Sequence, residues 1–302
     1  MPPNIKLVDP STGAVTDETF TDVWRAVPSV VNVDLSGADP KALAWPRGPN
    51  RQGGYQLDGR VGTLEEQAGA AFLGHAQAGN VPAAAMLDDI AAYERTLHSA
   101  PTPPLDELQA KGKTVFDRAC AVCHGGPVND LSEQFSLLHD VRTNCPQEVD
   151  TVVPARWSFA GCSPGKARHV RTYEISFADG FTMRRESSDP GRALLSGYVA
   201  SAPPTDSGAC AHPPCGQPFE DDWQKLETPP LLGIARTAPY FHNNSAATLE
   251  DVVIHYEEFY KRANALNTGP ELPLILTTDG VHRDRPNVES ERPALVAYLQ
   301  AL

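Results

Sequence analysis

The stretch GKTVFDRACAVCHGGP, residues 112–127, decides the fold, because it contains Cys120, Cys123 and His124 in the spacing C-x-x-C-H. This spacing is typical of covalent c-type haem attachment, in which two thiols on one helical turn bond the haem vinyl groups and the histidine binds the iron. A backbone carbonyl is then expected to orient the other ring nitrogen of His124. Phe116, one turn before Cys120, is predicted to face the core.

Two other chemistries use paired cysteines. A zinc site needs a second pair of ligands at matching spacing, and a thioredoxin-like C-x-x-C needs no histidine directly after it. Neither a zinc site nor a thioredoxin-like motif accounts for the cysteine pair together with its adjacent histidine. The motif therefore favours haem over both alternatives.

The composition limits the class of protein. The 302 residues include 25 basic and 38 acidic side chains, so the formal net charge is −13. Nucleic-acid binding needs clustered lysine and arginine, and we expect no nucleic-acid partner. No apolar run approaches the ~18–20 residues that span a bilayer, and we expect no membrane span. An acidic surface is compatible with a basic redox partner protein, either an electron donor or an acceptor.

The compartment is inferred from the haem chemistry and the cysteines. The start, MPPNIKLVDP, has no basic region followed by an apolar stretch and is not a signal peptide. Because haem c is attached outside the cytoplasm, we expect a periplasmic or otherwise exported protein whose signal is absent from this chain. For the other four cysteines we favour the local pairs Cys145–Cys162 and Cys210–Cys215, with reduced thiols or zinc as alternatives.

A proline-rich stretch, HSAPTPPLDE (98–107), divides the chain. Proline cannot continue a helix, so the predicted helix 82–97 ends there and a second helix leads into the haem motif. The helical period places four apolar side chains of helix 82–97 on one face: Met86, Ile90, Tyr93 and Leu97.

The chain ends in another predicted helix, SERPALVAYLQAL (290–302), with Ser290 as its N-cap. Its last eight residues, LVAYLQAL, repeat the earlier IAAYERTL (90–97). Such a repeat predicts two lobes that each end in a similar helix. Between them, the alternating run RTYEISFADG (171–180) predicts a β-hairpin.

Two longer stretches resemble a known family. The sequence TAPYFHNNSAATLEDVVIHYEEF (237–259) is similar to A-P-Y-F-H-[ND]-G-S-x-x-T-L-E-E-V-V-x-H-Y in the second haem domain of the di-haem cytochrome c peroxidase/MauG superfamily. DPGRALLSGY and LETPPLLGIARTAPY fit the run into that motif. VPSVVNVDLSG…YQLDGRVGTLEEQA (27–68) resembles the first lobe, where the superfamily has P-S-L-x-N and then W-D-G-R-x-x-x-L-E-E-Q-A.

The resemblance covers most of the chain and implies both a fold and a function. We expect a mainly α protein of two cytochrome-c-like lobes with long loops and a short β-hairpin insertion. Residues 1–100 would form a first lobe without a C-x-x-C-H motif, and residues 101–302 a cytochrome c domain with one covalent haem c. The implied function is a haem c oxidoreductase that transfers electrons through this haem, with peroxide as a candidate substrate.

The resemblance also assigns iron ligands in the second lobe. The proximal ligand falls on His124, and the distal ligand, Met in many peroxidases and Tyr in the MauG type, falls on Tyr256. A phenolate is a hard anionic ligand that favours ferric iron and lowers the reduction potential. His242 and His255 are rivals for the distal position, and His242 can alternatively support the ligand. Tyr256 can equally be a core aromatic of its helix.

The first lobe departs from the superfamily pattern. No cysteine precedes Val27, where a first C-x-x-C-H is expected, and the Trp that stands between the haems is Leu57. Gln67 matches the glutamine of the peroxidatic pocket, but the acid/base Glu is replaced by Gln77, which cannot exchange a proton at neutral pH. The nearby His75 is a candidate substitute, so Gln67 and His75 are the candidate catalytic residues.

Calcium is a second candidate cofactor that the resemblance implies. Thr237 and Pro239 match its backbone-carbonyl ligands, but the asparagine that the first lobe contributes is Ala26 here. Because calcium binds six to eight oxygens, loss of one weakens the site or gives the position to water.

Several functions stay open. A peroxidase-like or MauG-like enzyme is complete only if a first haem comes from a segment outside this chain or from a partner. A mono-haem electron-transfer protein with a degenerate first lobe fits the losses above, and a structural or sensing relic is a further alternative. A rubber-oxygenase-like dioxygenase is another alternative, because Phe72, which the resemblance places in the distal pocket of the first lobe, resembles that pocket in the rubber oxygenases of this superfamily. Those enzymes bind dioxygen and cleave an apolar polymer.

Overall fold

The computed structural model describes residues 1–23, 25–33, 55–124, 138–140, 170–177, 180–197, 223, 225–227, 229–256 and 288–302. The chain forms two compact units. Unit 1 comprises Met1–Arg25, Asp140–Lys225 and Glu258–His282, and unit 2 comprises Ala26–His139, Leu226–Glu257 and Arg283–Leu302. The predicted boundary at residue 100 stays a prediction.

The described part is helix-rich with a small antiparallel sheet, which confirms the prediction of a mainly α protein. The strands are β1 (Ile5–Val8), β2 (Leu138–Asp140), β3 (Arg171–Ser176), β4 (Thr182–Ser187) and β5 (Lys225–Glu227). The helices are α1 (Leu64–Gly74), α2 (Ala84–Glu94), α3 (Glu107–Ala119), α4 (Ala121–His124), α5 (Ala193–Ser196), α6 (described over 249–256) and α7 (Val288–Ala301). Within the described ranges, no helix is both long and apolar enough to cross a membrane.

Unit 1 contains the three-stranded sheet, in the order β1-β3-β4. Strands β3 and β4 form the predicted hairpin, with Tyr173 opposite Arg185. On its other edge β3 pairs with β1, with Ile5 opposite Ile175. Strand β1 was not predicted, because its four-residue apolar run finds its partner more than 160 residues later in the chain.

The core of unit 1 lies on one face of this sheet. Alternate residues of β3 point inward, and Tyr173 meets Trp223 edge-on at a centroid distance of 5.6 Å. The guanidinium of Arg185 lies 5.0 Å above the same indole ring. The Arg25 guanidinium donates to both carboxylate oxygens of the buried Asp189, at 2.6 and 2.7 Å. The four cysteines of the predicted disulfides lie outside the described residues.

In unit 2, helices α3 and α7 pack against each other. A capping box starts α3, because the Asp106 side chain accepts from the Gln109 N–H and the Gln109 side chain accepts from the Asp106 N–H. The buried side of α3 includes the predicted core residue Phe116, whose ring lies 5.3 Å from that of Tyr298 in α7. Helix α7 begins at Val288. Ser290 therefore lies inside the helix and is not its N-cap, contrary to the prediction.

Helices α1 and α2 also lie in unit 2. The side chain of Thr63 caps α1 by accepting from the Glu66 N–H, and Leu64 is fully buried. Helix α2 is shorter than the predicted 82–97, and its apolar face is largely open to solvent. Met86 is 52% exposed and Tyr93 66% exposed, so this face is not a core face in the described structure.

The loops that precede α1 and α6 have the same conformation. Tyr55 forms an isolated antiparallel bridge with Val61, and Tyr240 forms one with Ala246. The second and fifth residues of each loop have positive φ: 73° at Gln56 and 61° at Gly59, against 67° at Phe241 and 59° at Asn244. A threonine then caps each helix, through an N–H···Oγ1 bond of 3.1 Å in both cases. One loop–helix module therefore occurs twice in unit 2.

Candidate haem site

The haem motif spans the junction between α3 and α4. Cys120 is the C-cap of α3, with its N–H donating to the Phe116 carbonyl, and its side chain packs partly buried against the core of unit 2. The His124 N–H donates to the Cys120 carbonyl at 3.1 Å, so the motif from Cys120 to His124 occupies one helical turn. This is the backbone arrangement that the C-x-x-C-H spacing requires.

His124 is oriented by a backbone carbonyl, as expected. Its Nδ1 lies 3.2 Å from the carbonyl oxygen of Pro229, which follows β5. Loss of hydration on burial lowers the pKa of His124 to about 4, although the contact with Pro229 acts in the opposite direction. The imidazole is therefore neutral at neutral pH and carries its proton on Nδ1, where the carbonyl accepts it. This tautomer leaves the Nε2 lone pair for a metal.

Three aromatic rings form a cluster at the end of the described part of α6. The ring of His255 lies 4.6 Å from that of Phe241 and 5.6 Å from that of Tyr256, nearly perpendicular to the latter. Phe241 and Tyr256 are 6.3 Å apart. Burial, and secondly the nearby His242, lower the pKa of His255 to about 4.

The three rival distal ligands are therefore neighbours. The Nε2 atom of His242 is shielded from solvent, whereas Tyr256 is the exposed member of the group. The assignment of the distal ligand to Tyr256 stays a prediction. The same holds for haem attachment by Cys120 and by Cys123, whose side chain lies outside the described residues, and for iron binding by His124.

The segment Ala26–Asn32 contacts two loops: the loop before α6, which contains His242, and the loop after β5, which contains Pro229 and Leu232. The Ala26 N–H donates to the His242 carbonyl at 2.5 Å, and the Asn32 side chain donates to the Leu232 carbonyl at 2.8 Å. Sequence reasoning missed the second contact. The sequence indicated only that Asn32 is the last residue of VPSVVN, the stretch that resembles the superfamily. Its partner is a main-chain carbonyl, which any residue type would supply, so the sequence does not identify it.

The candidate residues of the first lobe lie along α1. Gln67 is partly buried in its first half, and His75 is its exposed C-cap. Eight residues of helix separate the two by about 12 Å along the axis, which argues against their acting on the same atom. Gln77 follows in an exposed position with φ of 51°, and Phe72 is partly buried. Catalytic roles for Gln67 and His75 stay predictions.

The predicted calcium ligands lie before the Tyr240 loop. Thr237 ends a short 3-10 turn, with its hydroxyl donating to the Ile234 carbonyl at 3.0 Å. The next peptide but one, Ala238–Pro239, is cis. Ala26, which replaces the expected asparagine, offers no side-chain oxygen. In the described part of the chain no group of three or more His, Cys, Asp and Glu side chains is arranged to hold a metal. Calcium stays a prediction.

Comparison with known proteins gives one curated relative of interest. The chain is 26% identical over 227 residues to cytochrome-c peroxidase IdrP1 of Denitromonas iodatirespirans, which covers 70% of this chain and 48% of that protein. This match supports the di-haem cytochrome c peroxidase/MauG superfamily. The chain spans about half the length of the curated relative that it matches. No family model matches the chain.

Two solved structures are similar over most of the chain. A MauG-like protein associated with microbial copper homeostasis has a TM-score of 0.48 at 19% identity, covering 98% of this chain and 76% of its own. The hydrazine synthase of Kuenenia stuttgartiensis has a TM-score of 0.45 at 18% identity, covering 95% and 74%.

The backbone conformation explains why one departure from the superfamily motif is tolerated. Asn244 stands where the superfamily has glycine, in the loop before α6. Its φ of 59° lies in the left-handed region, which glycine adopts freely and asparagine tolerates better than most residues. Asparagine is therefore compatible with the backbone conformation of this loop.

Proposed function

We propose that this chain is a haem c oxidoreductase that carries one covalent haem, on Cys120 and Cys123, with His124 as the proximal iron ligand. His124 lies one helical turn after Cys120, and its Nδ1 contacts the Pro229 carbonyl. This contact is the observation that carries the proposal. A neutral imidazole with its Nδ1 proton held by a carbonyl is the form in which histidine binds haem iron.

The residues of the chain divide the work of holding such a group. The two cysteines tether it to α3 and α4, and the Pro229 carbonyl fixes the ring of His124. When bound, haem c supplies an iron centre that accepts and releases one electron at a time. Tyr256 is the proposed distal ligand, with His242 and His255 as rivals, and the rings of Phe241 and Tyr256 pack against that of His255.

Electron transfer through a single haem is the function we favour. The first lobe has Leu57 and Gln77 in place of the bridging tryptophan and the acid/base glutamate, so it is proposed to be a scaffold without a haem of its own. A redox partner protein would donate or accept the electrons. An exported location, most simply the periplasm, follows from the chemistry of haem c attachment.

Peroxide reduction is the second candidate, favoured by the match to a cytochrome-c peroxidase. Reduction of one hydrogen peroxide consumes two electrons and two protons and yields two waters, so the partner protein must supply both electrons. Of the two candidate residues on α1, only His75 has a side chain that can transfer a proton, since the amide of Gln67 cannot. A calcium ion held by the carbonyls of Thr237 and Pro239 belongs to this second proposal.

A haem count with a peroxide assay tests the proposal. The pyridine haemochrome of the purified protein is expected to give one covalent haem per chain. Cys120→Ser should lower the covalent haem content, and His124→Ala should change the Soret band. His98→Ala, which alters an exposed histidine of the same unit, should do neither. A chain without covalent haem would refute the proposal.

Peroxide then separates the two candidates. A Soret band that peroxide leaves unchanged supports electron transfer as the function. Turnover of peroxide with an electron donor would support peroxidase activity as the function, provided that His75→Ala slows this turnover strongly. Two haems per chain would contradict the assignment of the first lobe as a scaffold.

A further inference from the structure

Asn32 is buried, and its side chain forms hydrogen bonds with two main-chain groups and one hydroxyl group. It is 2% exposed, and its φ of 60° lies in the left-handed region. Its side-chain Nδ2 donates to the Leu232 carbonyl at 2.8 Å and to the Ser99 hydroxyl at 3.0 Å, while Oδ1 accepts from the Ser99 N–H at 2.9 Å. Its own N–H donates to the Leu97 carbonyl at 2.7 Å.

Leu232 lies in the loop that carries the carbonyl of Pro229. Two consecutive prolines, Pro229 and Pro230, restrict the φ angles of this loop. Because the loop is stiff, a displacement of Leu232 should also displace the Pro229 carbonyl. Leu231 is buried in the core of unit 2. Asn32 therefore anchors the loop three residues after the carbonyl that contacts His124.

The packing around Asn32 leaves little freedom. Gly233 has φ of 79°, and a Cβ added there would lie 3.3 Å from Cβ of Ser99 and 3.6 Å from Nδ2 of Asn32. The Gly233 N–H donates to the Leu302 carbonyl at 2.8 Å. The loop is thus held from the Asn32 side and from the end of α7 at adjacent residues.

We propose that Asn32 is a positioning residue for the proximal ligand: through the Leu232 carbonyl it fixes the Pro229 carbonyl against Nδ1 of His124. This inference rests on the proposed function, because it assumes that His124 binds haem iron. A carbonyl that accepts firmly from Nδ1–H makes the imidazole a stronger donor to the metal, which favours the ferric state. Loss of the anchor loosens this bond, so the reduction potential of the haem should rise.

The test variant is Asn32→Gly, measured by redox titration of the purified haem protein. Glycine accepts the positive φ of residue 32 and introduces no charge near the haem, but it removes both side-chain atoms that bind Ser99 and Leu232. Ser99→Ala is the matched control, because it removes only the hydroxyl and leaves the Asn32–Leu232 bond. Leu64→Ala is the control for stability, because it opens a cavity in the core near α1.

The expected result is a higher potential for Asn32→Gly at an unchanged count of one haem per chain, with wild-type potentials for both controls. A wild-type potential in Asn32→Gly would overturn the inference and leave the proposed function intact. If Asn32→Gly does not fold, Gly233→Ala displaces the same loop through Ser99 and Asn32, and an unchanged potential there would overturn the inference equally. A wild-type protein without covalent haem would overturn the proposed function, and the inference with it.

Discussion

Gly112 of α3 lies directly against the main chain of Ala294 in α7. A Cβ built on Gly112 would lie 1.9 Å from the Ala294 carbonyl oxygen and 2.8 Å from Cβ of Tyr298. Backbone and Cβ atoms cannot move aside as the end of a long side chain can. The close pairing of these two helices, which precede and follow the candidate haem site in the chain, therefore depends on the absence of a side chain at residue 112.

Gly112→Ala should destabilise unit 2 although alanine is the better helix former. Helix propensity favours alanine by about 1 kcal/mol, whereas overpacking against a rigid neighbour costs about 1–3 kcal/mol or more. Denaturant unfolding followed by far-UV circular dichroism measures the difference. Gly74→Ala, where an added Cβ meets no atom within 4 Å, should be neutral or stabilising. Equal stability of Gly112→Ala and wild type would show that the helices are not this close.

Asn244→Ala should destabilise the loop before α6. Asn244 has φ of 59°, and alanine in the left-handed region costs roughly 1 kcal/mol more than asparagine or glycine. Asn244→Gly is the matched control, because it removes the same side chain but accepts the positive φ, and it should be more stable than Asn244→Ala. Thermal unfolding of the three proteins gives the order of stability. If the alanine variant equals the glycine variant, residue 244 does not have positive φ.

Alkaline unfolding of unit 1 should depend on Tyr173. Burial is the main cause that raises the pKa of this phenol to about 12. The unfolded chain releases the proton above about pH 10 while the folded chain retains it, so stability is intact below pH 10 and is lost as pH rises to 12. The loss amounts to roughly 1.4 kcal/mol per pH unit.

Tyr173→Phe should flatten this dependence. At neutral pH the variant loses about 1 kcal/mol, because the 2.9 Å bond between Thr21 and the phenol is gone. Denaturant unfolding between pH 9 and pH 11.5 should give a smaller slope than in wild type. Burial also raises the pKa of Tyr298 to about 12, so Tyr298→Phe provides the same measurement for unit 2. Identical slopes in wild type and Tyr173→Phe would contradict the prediction.

Tyr256→Phe should change the ferric haem spectrum and raise the reduction potential. Phenylalanine keeps the ring contacts with His255 and Phe241 but lacks the oxygen that the proposed distal ligand supplies. Tyr93→Phe, an exposed tyrosine of α2, should leave both measurements unchanged. An unchanged spectrum in Tyr256→Phe would instead assign the distal position to a histidine, first tested by His242→Ala.

The parts of the fold that were predictable are those set by neighbours in sequence. The helix that leads into Cys120, the buried Phe116 and the hairpin of β3 and β4 all follow from local periodicity. Strand β1 and the contact between Asn32 and Leu232 were not predictable, because each depends on a main-chain partner far along the chain. The apolar face of α2 misled for the same reason, since periodicity gives the face of a helix but not what packs against it.

The twice-used loop–helix module has a practical consequence for protein engineering. Tyr55–Val61 and Tyr240–Ala246 share a bridge, two positive φ angles and a threonine cap, so a segment could be transplanted from one position to the other with these features retained. Such a graft would bring the counterparts of His255 and Tyr256 to Ala70 and Ala71 of α1. Because those alanines occupy the same places in the module, the chain offers a ready-made scaffold for installing new metal ligands by chimera construction.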